Sequence, residues 1–404
     1  MTAPIAAPRV GGEHDAALKN RVHRRLVAEG TDDAPSRIEL HSQLVQLVRA
    51  EQPLLARARL DRLVNELVDE VAGLGPLEPL LADPDVTEVM LNGPGRAYVE
   101  RAGRLEPVAL ALDAATIVRL VERIVGPLGL RLDRASPMVD ARLPDGSRLH
   151  AVIPPLAVDG PCVTIRRFAA RHLPPAAFGT GASADSFLRW SVQAGWNVLV
   201  AGGTSAGKTT LLNALAGAVP ADDRVVTIEE TAELRLPQPH VVRLEARPAN
   251  AEGAGGVAVR DLVRAALRMR PDRLVVGEVR GGEALDMLQA LNTGHEGSLS
   301  TIHANSAADA LTRLETLVLL ADAGLPLDAI RAQIAASVDV VVFVARRAGG
   351  DRRIETIAEV APHGSATRVR PLFARGDVDL VAANGPMRSA RVPDAPPLDA
   401  RWFA

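Results

Sequence analysis

A chain of 404 residues with 47% hydrophobic and 24% charged residues is a folded protein too long for one ordinary core, which predicts two or three domains. Its net charge of −3 supplies no whole-chain attraction for nucleic acid, and its single cysteine, Cys162, excludes an intrachain disulfide and a four-cysteine zinc site. The start Met1-Thr2-Ala3-Pro4-Ile5 lacks a basic region followed by an apolar stretch, and the run Val338–Ala345 is interrupted by Asp339 and far too short for a bilayer, so a cytoplasmic location is expected.

Residues 1–35 are rich in Ala, Pro, Gly and charge and read as a flexible tail with at most one short helix on Leu18, Val22 and Leu26. The basic residues around it, Lys19, Arg21, Arg24 and Arg25, read as a solvated face. Residues 36–75 carry two amphipathic helices, on Leu40, Leu44, Leu47 and Val48 and on Leu60, Leu63, Leu67, Val71 and Leu74, the second ended by Gly75-Pro76. They predict a small helical bundle.

Residues 76–170 read as an α+β module. Strands at Val86–Leu91 and Arg96–Glu100 flank the turn Asn92-Gly93-Pro94-Gly95, and a helix follows on Ile117, Leu120, Val121, Ile124 and Val125. A second hairpin, Met138–Leu143 and Arg148–Ile153, turns at Pro144-Asp145-Gly146-Ser147, and Val163–Ile165 is a last strand. The Pro/Gly/Ala/Ser-rich residues 171–185 read as a linker.

Residues 186–375 alternate strands and helices, with strands at Asn197–Ala201, Val225–Ile228, Val241–Leu244, Leu274–Val276, Gly297–Thr301 and Val338–Val344 and a closing hairpin of Arg352–Val360 and Thr367–Phe373. This pattern predicts an α/β fold with a mostly parallel sheet covered by helices on both faces. Residues 376–404 are Ala/Pro-rich and read as a fraying tail.

The chemistry concentrates in the third region. Gly202-Gly203-Thr204-Ser205-Ala206-Gly207-Lys208-Thr209 matches G-x-x-x-x-G-K-[ST] between an apolar strand and an apolar-periodic helix that opens at Thr210. Small residues let the chain curl so that several N–H groups converge on one phosphate, and the helix N-terminus adds partial positive charge. Lys208 then reaches the β/γ-phosphates, and the Thr209 hydroxyl meets Mg²⁺. A second apolar strand ends in Glu278, a carboxylate where open α/β sheets bind ligands, suited to polarising water or holding the metal. Glu229, Glu230 and Glu233 crowd the end of a third strand, and clustered like charges suggest a cation beside them.

His295 and His303 flank the strand after Glu278, where imidazoles can hydrogen-bond a terminal phosphate, at a spacing that matches no zinc pattern. Phosphoryl transfer gains from positive charge facing the developing oxyanions, and Arg148, Arg166, Arg167 and Arg280 are the candidates. Arg260, Arg264 and Arg268, at i, i+4 spacing, read as one solvated helix face.

In order along the chain stand GGTSAGKTT, TIEETAEL, LVVGEVRGGEALDML and NTGHEGSLSTIHAN, preceded by SPMVDARLPDGSRLHAVIPP and with ALRMR and RPDRL between. Over roughly residues 60–345 this series closely resembles the secretion-superfamily ATPases, of the CpaF-like type that powers tight-adherence (Flp) pili. The resemblance implies a RecA-like ATPase domain joined by a linker to an N-terminal domain, a ring of six identical subunits, and ATP with Mg²⁺ as cofactors. It implies a cytoplasmic motor docked at the inner face of the membrane, driving an inner-membrane platform protein and, indirectly, pilin. Matched motif by motif, it makes Lys208, Thr209 and Thr210 part of Walker A, Glu278 the Walker B acid, Glu229, Glu230 and Glu233 the Asp-box acids, and His295 and His303 the His-box pair. Arg148 and Arg166 or Arg167 fall where related enzymes place phosphate-contacting arginines.

Two departures stand out. Glu230 occupies a position where aspartate is usual, so its metal contact is direct or displaced by a methylene. Ser205-Ala206 replaces a common glycine followed by Ser or Thr, so Ser205 is expected to take a backbone angle that glycine favours. The alternatives are a conjugative DNA-transfer ATPase of the same superfamily and a nucleotide-gated scaffold with little turnover.

Overall fold

Two periodicities, one helical and one alternating, separate into different parts of the chain, and each buries its own core. The computed structural model describes residues 13–29, 35–101, 103–143, 145–167, 173–247, 249, 254–347, 350–363 and 366–403. They divide into two compact units, Met1–Ala169 and Ala170–Ala404.

The first unit opens with three helices, α1 (Glu13–Ala28), α2 (Arg37–Glu51) and α3 (Arg57–Ala72). Leu18 and Val22 of α1 are buried with Leu44, Leu47, Leu63 and Leu67. Much of the predicted tail is therefore bundle rather than loose chain, because its short apolar stripe finds a three-helix groove; residues 1–12 and 30–34 lie outside the described residues. The basic face of α1 is ion-paired at its surface, with Lys19 to Glu66 and Glu70 and Arg21 to Glu51.

A short α4 (Glu78–Ala82) leads into a six-stranded antiparallel sheet: β1 (Val86–Asn92), β2 (Ala97–Arg101), β3 (Arg104–Val108), and, after helix α5 (Ala114–Val125), β4 (Met138–Arg142), β5 (Arg148–Val152) and β6 (Cys162–Arg166). The order is β3-β2-β1-β6-β5-β4. One face packs on α5 around Val89, Val99, Ile117, Val121, Leu149 and Ile165. β3 was not readable from the sequence because it is an edge strand interrupted by Pro107, which only an edge tolerates.

The second unit contains α6 (Gly181–Gln193), β7 (Val198–Gly202), α7 (Lys208–Ala216), β8 (Val225–Glu229), β9 (Val241–Glu245), α8 (Val259–Ala266), β10 (Arg273–Val279), α9 (Glu283–Leu291), β11 (Leu299–His303), α10 (Ala307–Leu319), α11 (Leu327–Ser337), β12 (Val340–Arg346), β13 (Arg352–His363), β14 (Ala366–Arg375) and β15 (Leu380–Ala382). The sheet order is β15-β14-β13-β12-β7-β11-β10-β8-β9. The six strands from β12 to β9 are parallel, and β13 to β15 extend the sheet antiparallel. Helices α8 to α11 cover one face and α6 and α7 the other, as near-continuous apolar strands require.

Two expectations change here. The linker reading of 171–185 holds for no described residue beyond Thr180: Phe178 is buried in a 3-10 turn, and α6 begins at Gly181. Residues 168–172 lie outside the described residues. The segment after Gly376 does not fray. It pairs as β15 and then runs as a strap whose carbonyls at Ser389 and Pro396 accept the indole N–H groups of Trp196 and Trp190 at 2.9 and 2.7 Å. Arg388 and Arg391 donate to the buried carboxylate of Asp339 at 2.7, 2.6 and 2.9 Å, and Asp339 also accepts the Asn197 amide at 2.8 Å. Glu359, equally buried, accepts the amides of Met387 and Arg388 at 2.9 and 2.7 Å. Buried acids need such partners, and proline and alanine did not reveal that the strap carries them.

Removing Asp339 strands two guanidinium groups in this seam. Asp339→Ala is expected to lower unfolding stability by about 3–5 kcal/mol. Denaturant unfolding followed by tryptophan fluorescence checks this, and a loss under about 1 kcal/mol would contradict the anchoring role.

Candidate functional site

The parallel register decides which side chains meet. Gly202 at the end of β7 lies opposite His303 of β11 and Val344 of β12, and Val276 of β10 lies opposite Ser300 of β11 and Ile228 of β8. The loop after Gly202, Glu278 and Glu229 therefore share the C-terminal edge of the sheet. The loop turns through Ser205 at φ 57° and Gly207 at φ 94°, so Ser205 does adopt a left-handed angle. Gly202 is required by space, since a methyl there would fall 2.5 Å from the Val344 carbonyl oxygen, whereas Gly203 faces open space. Ala206 is buried and pins the loop to the core, while Thr204 and Ser205 are exposed. At the start of α7, the amides of Lys208, Thr209 and Thr210 precede the first intrahelical bond, which Leu211 makes to Gly207 at 2.9 Å.

The Lys208 ammonium donates to the Gly203 carbonyl at 3.1 Å and stands 3.8 Å from Glu278 Oε1. The other Glu278 oxygen accepts from Arg280 at 2.7 Å, and Arg280 also pairs with Glu230. Arg280 thus bridges the strand-end acid and the exposed acid of the cluster.

Glu229 differs from its neighbours. Its side chain is buried against Gly277, where a methyl would fall 2.9 Å from Glu229 Cγ. One carboxyl oxygen accepts the amides of Glu233 and Leu234 at 2.8 and 2.9 Å, and the other is buried without a partner among the described residues. Burial pushes this carboxyl up to about 7 against the pull of those two amides, and the charge of Glu233 adds to the rise while Arg243 opposes it. Glu229 closes the turn from β8 and so fixes where Glu230 and Glu233 stand.

The two histidines part company. His303 ends β11 beside Gly202, at the loop. His295 precedes β11, on the opposite edge, with Nδ1 bonded to the Ala290 carbonyl at 3.0 Å. The strand starts two residues later than predicted because Gly297, at φ 75°, turns around the buried Arg273, which donates to its carbonyl at 3.2 Å. Four residues of strand, Leu299 to Ile302 and roughly 13 Å, lie between the pair. Of the two, only His303 joins the loop.

In the first unit, cross-strand register aligns Arg142, Arg148, Arg166 and Glu88 in one row on the sheet face away from α5. Like charges on adjacent strands repel, so this row favours an anion opposite it. Arg148 contacts Asp140 at 3.4 Å, while Arg166 lowers, and burial raises, the affinity of Glu88 for its proton, with burial dominant. Arg167 is used differently: its guanidinium donates to the carbonyls of Asp83 and, at 3.0 Å, Val86, locking the start of β1. Sequence reasoning missed Arg142, whose signal was its place two residues before the hairpin turn, in register with Arg148. Arg260 and Arg264 are not simply solvated. They converge on the buried Asp286 of α9 at 2.6 and 2.7 Å.

Among the described residues no group of acids and imidazoles forms a self-sufficient metal cage. The oxygens of Thr209, Glu278 and Glu230 are of the kind that could hold Mg²⁺, which takes only one or two protein ligands when phosphates and water supply the rest.

Residues 70–364 match the family described as type II/IV secretion system protein. The chain is similar to a putative conjugal transfer protein of Mycobacterium tuberculosis, 45% identical over 303 residues that cover 72% of this chain and 86% of the relative. The type IV secretion system protein PtlH of Bordetella pertussis is 40% identical over 69% of this chain and 91% of its own length. The conjugal transfer protein TrbB of Rhizobium radiobacter is 35% identical over 74% and 90%. Among solved structures, the pilus retraction motor PilT is 18% identical at TM-score 0.52, covering 74% of this chain and 82% of its own, and the Legionella pneumophila ATPase DotB is 20% identical at TM-score 0.51, covering 69% and 77%. These two likenesses speak to the fold alone.

A carboxyl held near pH 7 when folded and near 4.5 when unfolded favours the folded state at low pH, and that contribution is lost as pH rises from about 4.5 through about 7. Glu229→Gln, which mimics the protonated form, is expected to remove about 2–3 kcal/mol of the stability difference between pH 4.5 and pH 8. Urea unfolding of both proteins at the two pH values checks it, and identical pH slopes would contradict the assignment.

Proposed function

Because this chain belongs to the type II/IV secretion system protein family, we propose that it is a motor that couples ATP hydrolysis to secretion through motion of its first unit relative to its ATPase unit. The chain is a secretion-system ATPase; the ring, the partners and the cargo are the further steps of this reading. The carrying observation is the single sheet edge that gathers the phosphate loop, Glu278, Glu229 and His303.

In this reading the loop amides and Lys208 would hold the triphosphate, and Thr209 with Glu278 would hold Mg²⁺, which would neutralise the charge of the phosphates. Glu278, 3.8 Å from the Lys208 ammonium, is also the carboxylate that would accept a proton from the attacking water. Its bond to Arg280 restrains the carboxylate, and Arg280 must yield Glu230 before that acid can turn to the metal. His303, opposite Gly202 at the loop, would contact the terminal phosphate and report its loss. His295, on the far edge, serves a contact other than its own subunit's loop. Arg148 and Arg166 would be the phosphate-contacting arginines that the motif resemblance implies, and Arg142 extends their row.

The working form is a homohexamer, peripherally docked on an inner-membrane platform protein; among the described residues no helix is long and apolar enough to cross a membrane. Two cargo readings stand. The motif series favours the tight-adherence pilus, and the named relatives favour conjugal transfer or type IV secretion. The scaffold reading loses ground because Lys208, Thr209 and Glu278 all stand at the loop edge.

Lys208→Ala is expected to bring phosphate release to background. Arg148→Ala is expected to slow it about 100-fold while changing nucleotide affinity less than about twofold. Steady-state phosphate release and equilibrium nucleotide titration check both. Full turnover in Lys208→Ala would remove the motor, and equal loss of binding and turnover in Arg148→Ala would remove the arginine row from catalysis.

A further inference from the structure

The hairpin of β12 and β13 brings a set of arginines to the phosphate-loop edge that the motif series does not contain. β12 runs parallel to β7 with Val344 opposite Gly202, so its last residues and the first of β13, where Arg346 pairs with Arg352, lie beside the loop. Most of these cations are committed. Arg347 forms a fork on Glu355 with two contacts of 3.0 Å, Arg353 faces Asp351 at 3.5 Å, and Arg375 donates to the carbonyls of Gly179, at 2.7 Å, and Ile354. The crowding is felt electrostatically, since burial and then the neighbouring Arg347 and Arg353 charges, against Glu355, hold Arg375 below the usual arginine range.

Arg352 is the exception. Its stem lies on the phosphate loop itself: a methyl on Gly207 would fall 2.9 Å from Arg352 Cδ and 3.4 Å from Phe178. Gly207 thus owes its glycine to two constraints, its left-handed angle and this side chain. The Arg352 Nε is buried and has no hydrogen-bond partner, and no acid pairs with the guanidinium among the described residues. A buried charge-bearing donor without an acceptor is costly unless a ligand supplies one. An arginine fork suits phosphate oxygens, and the residue it touches immediately precedes Lys208.

We propose that Arg352 is a nucleotide-binding residue, donating to the phosphate tail held by the loop of its own subunit. The proposal rests on the reading of that loop as the nucleotide cradle. Because the contact is to the tail already present in the product, it anchors ADP as well as ATP, unlike a group that acts on the transferred phosphoryl.

Arg352→Met tests it, since methionine keeps an apolar stem over Gly207 and removes the donors. Titrating the full-length chain with ADP bearing a fluorescent ribose label should show affinity weakened about tenfold or more, at unchanged melting temperature. Arg347→Met, which removes a paired cation from the same cluster, should change affinity less than about twofold. Arg352→Lys, which retains charge, should bind ADP more tightly than Arg352→Met. Wild-type affinity in Arg352→Met, or equal losses in the Arg347 and Arg352 variants, would overturn the proposal. A wild-type chain that binds no nucleotide at all would instead refute the loop reading beneath it.

Discussion

The constraint on which the site depends is the parallel register of β7, β11, β10 and β8. Parallel strands end at the same edge, so one register brings Gly202, His303, Glu278 and Glu229 together although they are far apart in the chain. The loop between Gly202 and Lys208 then has little freedom. Ala206 is buried, Gly207 is covered by Phe178 and Arg352, and Ser205 is held left-handed at φ 57°. A loop bent in advance offers its amides without further ordering, which is what anion binding by main-chain groups needs.

Stability is vested in the other edge. Asn197, at the start of β7, donates its amide to Asp339 and its side chain to the Ser337 carbonyl, while its side-chain oxygen accepts the Ser298 amide at 3.0 Å. Arg388 and Arg391 of the C-terminal strap close this polar seam on Asp339, and Trp190 and Trp196 fasten the strap to α6 and β7. His295 belongs to that region through Ser298, whose hydroxyl donates to its carbonyl at 2.7 Å. The two histidines therefore sit in different environments, one beside the loop and one in the seam.

Much of this was legible in the sequence where apolar periodicity or a short motif carries the information. The strands β7, β8, β10 and β12, the loop and the acids at its edge could be placed from residues alone, and the strain expected at Ser205 is present as a positive φ. What was hidden depends on contacts between segments distant in sequence. The strap looks like Ala/Pro-rich chain until Asp339 and Glu359 meet its arginines. Arg167, which resembles its neighbour Arg166 in type, is bonded to carbonyls of the chain around β1. The row of Arg142 with Arg148 needs the hairpin register.

The most direct measurement of the central claim is a structure of the full-length chain with Mg²⁺ and a non-hydrolysable ATP analogue. The account predicts the β-phosphate within hydrogen-bonding distance of amides between Gly203 and Thr209, with Lys208 swung from the Gly203 carbonyl onto phosphate oxygens. Nucleotide bound elsewhere, or none bound while Lys208 keeps its bond to Gly203 at saturating analogue, would contradict it.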